Sequence, residues 1–206
     1  MAAAATRSGR DPASVTLVAV SKGQSVETIR AAYELGHRHF GENRAAELAD
    51  KAPQLPGDIV WHFVGTLQRR RIELIRPVAA LVHSLDRLAL IDSWSRSPAP
   101  PMLVQVNVAA EQQKHGVAVD KAGDLVAAAE AAGIACRGLM LIPPLADRPE
   151  QSRPWFQRLA TLQRRLAVEH PDLVELSMGM TDDFEVAIEE GASLIRVGRA
   201  IFGARR

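Results

Sequence analysis

Apolar runs of strand length recur along the chain, and each is followed by a polar start signal and then by apolar residues at helical spacing. The first run, 15–20, reads Val-Thr-Leu-Val-Ala-Val, continuous and β-branched as a strand buried on both faces requires. Ser25 follows as an N-cap, Val26, Ile29, Ala32 and Tyr33 fall on one helical stripe, and Gly36 supplies the stop. The rhythm then repeats. Strands are predicted over 39–41, 59–65, 80–85, 102–108, 138–142, 173–178 and 193–197. Helices are predicted over 43–51, 66–76 behind a Thr66 cap, 86–94 behind Asp86, 120–132, 149–170, 182–191 and, briefly, 200–202.

Alternating β and α units predict a parallel sheet. Eight of each within 206 residues predict an α/β fold of one kind, a closed (β/α)8 TIM barrel at the small end of its size range. A six-stranded doubly wound sheet is the runner-up, because short strands such as the second carry the weakest pattern. No Pro/Gly/Ser-rich linker divides the chain, so 1–206 is expected to be a single domain, with 93–101 serving as the connection into the fifth strand. The Ala-rich start is expected to form only a shortened first helix.

Composition narrows the class. With 47% hydrophobic and 24% charged residues the chain is globular rather than disordered. Twenty-five Lys and Arg against 24 Asp and Glu leave a net charge of +1, so no global field draws it to nucleic acid or an anionic membrane. No apolar run approaches the roughly 20 residues of a spanning helix, and the start lacks the apolar stretch of a secretory signal. One cysteine, Cys136, excludes an internal disulfide and fits a reducing compartment. A cytoplasmic protein, monomeric and without nucleic-acid or membrane partners, is expected.

In a barrel of this kind, functional groups sit at the C-terminal ends of strands and in the loops that follow. Lys22, just beyond a wholly apolar strand, falls at the barrel mouth. Partial desolvation there lowers an ammonium's pKa, as a Schiff-base amine requires. A snorkelling lysine, or one paired with Glu42, is the equal alternative. The loops after strands seven and eight read as an anion site: Gly179 and Gly198 permit close backbone approach, Ser177 offers a hydroxyl, and a helix opens after Gly198. The six histidines form no i, i+4 pair and have no cysteine partner, so no metal site is expected, and His37 and His39 read as exposed edge positions. No Gly-x-Ser-x-Gly elbow supports acyl transfer. Arg69, Arg70 and Arg71 read as a solvated helix face, and Cys136 as an inert residue ahead of strand six.

Several segments, in order, resemble one family. They are Val18-Ala19-Val20-Ser21-Lys22, Phe40-Gly41-Glu42-Asn43-Arg44, Trp61-His62-Phe63-Val64-Gly65 and His83-Ser84-Leu85-Asp86. Gln105-Val106-Asn107, Lys114-His115-Gly116, Gly138-Leu139-Met140, Leu176-Ser177-Met178-Gly179-Met180 and Arg196-Val197-Gly198-Arg199-Ala200-Ile201-Phe202-Gly203 complete the series. Together they resemble the YggS/PROSC family of pyridoxal-phosphate-binding homeostasis proteins across essentially the whole chain.

The resemblance implies a barrel like the N-terminal domain of alanine racemase, holding pyridoxal 5′-phosphate as a covalent aldimine to Lys22. It implies that Ser177, Met178, Gly198 and Arg199 border the phosphate, that Arg196 faces the pyridine nitrogen, and that Asn43 and His83 line the pocket. Arg199 stands where the family commonly has Thr. Only 21 residues precede Lys22, fewer than the family's usual leading helix. The implied role is intracellular vitamin B6 homeostasis without substantial catalysis, with pyridoxal-phosphate-dependent apo-enzymes as recipients of the cofactor. Two alternatives stay open: a pyridoxal-phosphate-dependent amino-acid racemase, and a barrel that binds another phosphorylated metabolite without an aldimine.

Overall fold

The computed structural model describes residues 1–94, 98–111, 113 and 115–203. Lys114 of the predicted Lys114-His115-Gly116 segment, and part of the 93–101 connection, lie outside them. Strands β1 (Thr16–Val20), β2 (His39–Glu42), β3 (Val60–Phe63), β4 (Ala79–Leu85), β5 (Met102–Gln105), β6 (Cys136–Met140), β7 (Glu175–Ser177) and β8 (Leu194–Val197) form one closed barrel in sequence order. Every pairing is parallel. The β1·β8 ladder, from Thr16↔Leu194 to Ala19↔Val197, rules out the doubly wound alternative.

Helices α1 (Ala2–Arg7), α2 (Val26–Glu34), α3 (Ala45–Lys51), α4 (Ile72–Ile75), α5 (Leu88–Trp94), α6 (Ala122–Ala131), α7 (Arg153–Leu166), α8 (Phe184–Glu189) and α9 (Arg199–Phe202) surround it. Ser25 caps α2 as expected, its hydroxyl accepting Thr28 N–H. The short α1 is pinned over α8: Ala4 and Ala5 are fully buried, and Arg7 bonds Glu185 and Glu189.

Several expected boundaries move, each for a local reason. Thr66 is exposed and caps no helix; burial of Leu67 keeps the segment extended, and a 3₁₀ turn, Arg69–Arg71, leads into α4. The fifth strand's regular ladder ends at Gln105, because the chain then turns back through the Val106↔Val117 bridge. Cys136 lies within β6, where burial pushes its thiol up to about 12. The long helix predicted over 149–170 begins as a 3₁₀ turn, Pro149–Ser152, before α7. His37 and His39 sit on no sheet edge, since a closed barrel has none, and both are half-buried.

Strand side chains alternate between two cores. Outward residues such as Phe40, Trp61, Phe63 and Val104 pack with Ile29, Leu48, Trp94 and Phe156 of the helices. Inward residues Val18, Leu81, Leu103, Met140 and Leu194 form a separate plug inside the barrel. Two residues further along their strands stand His83, Gln105 and Arg196, so the interior changes from apolar to polar toward the mouth.

Phe156 on α7 is completely buried in the outer core. Truncating it in Phe156→Ala is expected to lower stability by about 3–5 kcal/mol, read as a shift in the urea unfolding midpoint with the far-UV spectrum of the folded state unchanged.

Candidate functional site

Lys22 is half-buried in the turn between β1 and α2, and the residues on either side of it are tied down from α3. The buried Lys51 ammonium donates to Ser21 O at 2.9 Å, to Glu42 Oε1 at 2.8 Å and to Glu47 Oε1 at 2.7 Å. Glu47 Oε1 also accepts Gly23 N–H at 2.5 Å, and Ser21 Oγ donates to Glu42 Oε1 at 2.8 Å. Glu42 thus serves Lys51 and Ser21. Burial pushes its carboxyl pKa up, against the opposing pull of Lys51. Among the described residues its Oε2 is buried without a hydrogen-bond partner.

On the opposite side of the β1·β8 ladder, Arg196 pairs in register with Val18, four residues before Lys22. Arg196 is buried, at 5% exposure. It donates Nη1–H to Ser177 Oγ at 2.6 Å and Nη2–H to Leu141 O at 2.9 Å. Burial brings its pKa down to about 10, with Asp183 acting in the other direction, so the guanidinium stays charged at neutral pH. Among the described residues it makes no salt bridge.

The loop after β7 is pinned to β8 and to itself: Arg196 N–H of β8 bonds Gly179 O at 3.0 Å, and Met180 N–H bonds Asp183 Oδ1 at 2.7 Å. Gly179 has φ +87°, and a Cβ there would lie 2.5 Å from that of Ala187, so no other residue fits. A Cβ on Gly198 would lie 3.1 Å from Val20 O, so the β8 loop presses close against the end of β1. The helix expected after Gly198 is a single turn, α9, whose macrodipole is correspondingly small; Ile201 and Phe202 N–H both bond Gly198 O, so its contribution is limited to the first two N–H groups, those of Arg199 and Ala200. Arg199 is exposed and bonds Asp182.

The remaining predicted residues are placed differently from one another. Asn43 is half-buried in the bend between β2 and α3. Met178 is fully buried in the outer core. His83 and Ser177, both at 0% exposure, bond each other across the barrel, His83 Nδ1 to Ser177 Oγ at 2.8 Å. With the Ser177 hydroxyl turned inward, Thr181, four residues on and half-buried, is the hydroxyl side chain of the β7–α8 loop. Sequence reasoning passed over Thr181, Lys51, Glu47, His62 and His39 as site residues. The i, i+4 spacing of Glu47 and Lys51 was the available signal for the first pair. Period-two spacing from Leu81 to His83 and from Leu194 to Arg196 was the signal for the inward polar layer. A separate groove of about 440 Å³, lined by Val108, Val119, Pro154, Leu162, Arg158 and Arg165, lies against α7 and contains none of the predicted residues.

Residues 3–206 match the family model described as alanine racemase, N-terminal domain. The chain is 38% identical over 211 residues to the pyridoxal phosphate homeostasis protein of Aquifex aeolicus, covering 98% of this chain and 92% of that one. It is 43% identical over 213 residues to the pyridoxal phosphate homeostasis protein of Pseudomonas aeruginosa, covering 98% and 90%. The structure of PipY from Synechococcus elongatus with pyridoxal phosphate bound superposes with a TM-score of 0.85 at 34% identity, covering 98% of both chains.

Two measurements test this geometry. Lys51→Met strands the buried Glu42 and is expected to cost about 3–5 kcal/mol, with much of the loss recovered when Glu42→Gln is added. The buried histidines set the acid limb of stability. Burial first, then neighbouring histidines, hold His62 down to about 3 and His83 well below the usual 6.5. As pH falls below 6.5 the unfolded chain takes up protons on these rings that the native state refuses, so their contribution is complete above 6.5 and is lost toward about 3. The expected slope is about 1.4 kcal/mol per pH unit for each ring, read from urea unfolding at neutral pH and near pH 5. His62→Gln should remove roughly half of it.

Proposed function

Because the chain belongs to the alanine racemase N-terminal-domain family, we propose that it binds pyridoxal 5′-phosphate through Lys22 and holds it for vitamin B6 homeostasis rather than for catalysis. The observation that carries this reading is Arg196, a buried cation with no ion-pair partner among the described residues, on the strand beside the one that leads into the Lys22 turn. A buried charge left unneutralised is costly and suits an electron-rich ligand. When bound, the cofactor supplies an aldehyde that condenses reversibly with amines and a pyridine ring able to accept electrons.

The residues present fit that group. Lys22 offers the amine for a Schiff base, and the α3 clamp on Ser21 and Gly23 fixes the turn that presents it. The close-packed Gly179 and Gly198 loops, with Thr181 and the first N–H groups of α9, suit a phosphate, and the exposed Arg199 adds a cation beside them. Asn43 lies in the loop next to Lys22. Ser177 and His83 line the barrel interior beneath this layer, and Met178 packs in the outer core behind it.

The same set argues for holding rather than transforming. A permanent cation opposite the ring nitrogen disfavours its protonation and so weakens the ring as an electron sink. A two-base racemase needs a second acid/base opposite the lysine. The only tyrosine, Tyr33, sits near the far end of α2, with its hydroxyl donating to Asp58 Oδ1 at 2.7 Å. The partners on this reading are the cofactor and the apo-enzymes that consume it.

The test is the visible spectrum of the purified protein mixed with pyridoxal phosphate. An imine band, reducible by borohydride, is expected in the wild type and absent in Lys22→Ala. No band in either protein would refute the reading, and steady conversion of L-alanine to D-alanine at ordinary enzymatic rates would replace it with the racemase.

A further inference from the structure

Three histidines and a serine cross the barrel interior in one hydrogen-bonded line. His39 Nδ1 lies 3.1 Å from His62 Nε2, His62 Nδ1 2.9 Å from His83 Nε2, and His83 Nδ1 2.8 Å from Ser177 Oγ. Arg196 closes the line by donating Nη1–H to Ser177 Oγ at 2.6 Å. The line therefore runs from β2 through β3, β4 and β7 to β8.

Its proton positions follow from the chemistry of the last member. A guanidinium can only donate, so Ser177 Oγ accepts from Arg196. A buried hydroxyl proton needs an acceptor of its own, and the other partner of this oxygen is His83 Nδ1. Ser177 therefore donates to His83, which leaves Nδ1 bare and puts the ring proton on Nε2. His83 Nε2–H then donates to His62 Nδ1, and His62 Nε2–H to His39 Nδ1. Each imidazole is fixed as the same neutral Nε2–H tautomer, and the burial that keeps His62 and His83 uncharged is consistent with it.

All donors along the line point away from Arg196, so the negative ends of aligned dipoles face the guanidinium. They solvate the buried cation without cancelling its charge, as a carboxylate would. Leu141 O holds its second nitrogen. We propose that Ser177, His83, His62 and His39 are positioning residues for Arg196, a one-directional hydrogen-bond line that fixes the guanidinium and leaves its charge available to the ligand at the mouth. Only the ligand clause rests on the proposed cofactor reading.

Long-range ¹H–¹⁵N spectra of the full chain, with and without pyridoxal phosphate, read the tautomers and the exchange of Arg196 side-chain protons. The wild type is expected to carry Nε2–H on His62 and His83. Ser177→Ala should scramble both rings, speed Arg196 proton exchange and weaken pyridoxal phosphate binding by about tenfold, while Ser177→Thr, which keeps the hydroxyl, should restore the pattern. His39→Asn cuts the far end and should leave His62 and His83 unchanged, since the direction is set at Arg196. An Nδ1–H tautomer at His62 or His83 in the wild type, or a Ser177→Ala protein with unaltered tautomers and Arg196 exchange, overturns the proposal. So does unchanged pyridoxal phosphate affinity in a Ser177→Ala protein whose tautomers are scrambled. Should Ser177→Ala fail to fold, His62→Leu, which can neither donate nor accept, decides instead: His83 must keep its Nε2–H tautomer and His39 lose its fixed one, and any other pattern refutes the line. If the wild type binds no pyridoxal phosphate, the cofactor reading fails while the tautomers and Arg196 exchange still decide the line.

Discussion

Pairing of Thr16–Ala19 with Leu194–Val197 closes the barrel, and closure decides what every strand side chain must do. A closed parallel sheet has no edge at which a polar residue can escape to water, so each strand commits alternate residues to an interior of fixed volume. The same ladder sets Arg196 level with Val18 and therefore beneath Lys22, residues at opposite ends of the sequence. The local constraints that follow, the tight Gly179 loop and the approach of Gly198 to Val20 O, come from bringing the last two loops against the end of the first strand.

Such an interior is ordinarily apolar, and here its lower layer is, with Val18, Leu81, Leu103, Met140 and Leu194. The layer above departs from that pattern and is stable only because its groups satisfy one another. Burying a polar group costs little when it is hydrogen-bonded and several kcal/mol when it is not. His62, His83 and Ser177 each have partners on two sides, and Arg196 is bonded through both terminal nitrogens. The full charges of Glu42, Glu47 and Lys51 are collected instead outside the sheet, under α3, where they compensate each other. The division keeps a carboxylate out of ion-pair reach of Arg196 while a carboxylate network braces the turn carrying Lys22.

Much of this architecture was legible in the residue pattern, for definite reasons. Wholly apolar runs followed by caps and helical stripes favour a barrel in a chain of this length, and the same rule, strand ends facing the mouth, made Lys22, Gly179 and Gly198 candidates. Boundaries were less legible where a buried anchor competes with helix propensity, as Leu67 does after Thr66. The histidine line was invisible for a different reason. His39, His62, His83 and Ser177 are far apart in sequence, and only the barrel's tilt and register bring successive imidazole nitrogens within hydrogen-bond distance. His39 read as an edge residue because a single strand shows which faces alternate but not whether the sheet closes.

The chemistry that a site can perform depends on which of its charges can move. In the proposed cofactor site the cation at the ring end is an arginine, which does not lose its proton, and it is held by neutral dipoles that supply none. The carboxylates beneath the Lys22 turn, Glu42 and Glu47, are engaged with Lys51, Ser21 and Gly23, and the buried Asp183, which acts on Arg196, accepts Met180 N–H. Lys22 is half-buried in the turn that this network braces and, on the proposed reading, would offer its amine to the cofactor's aldehyde. On that reading, a fixed charge at one end and one amine at the other would suit capture and release of a reactive aldehyde.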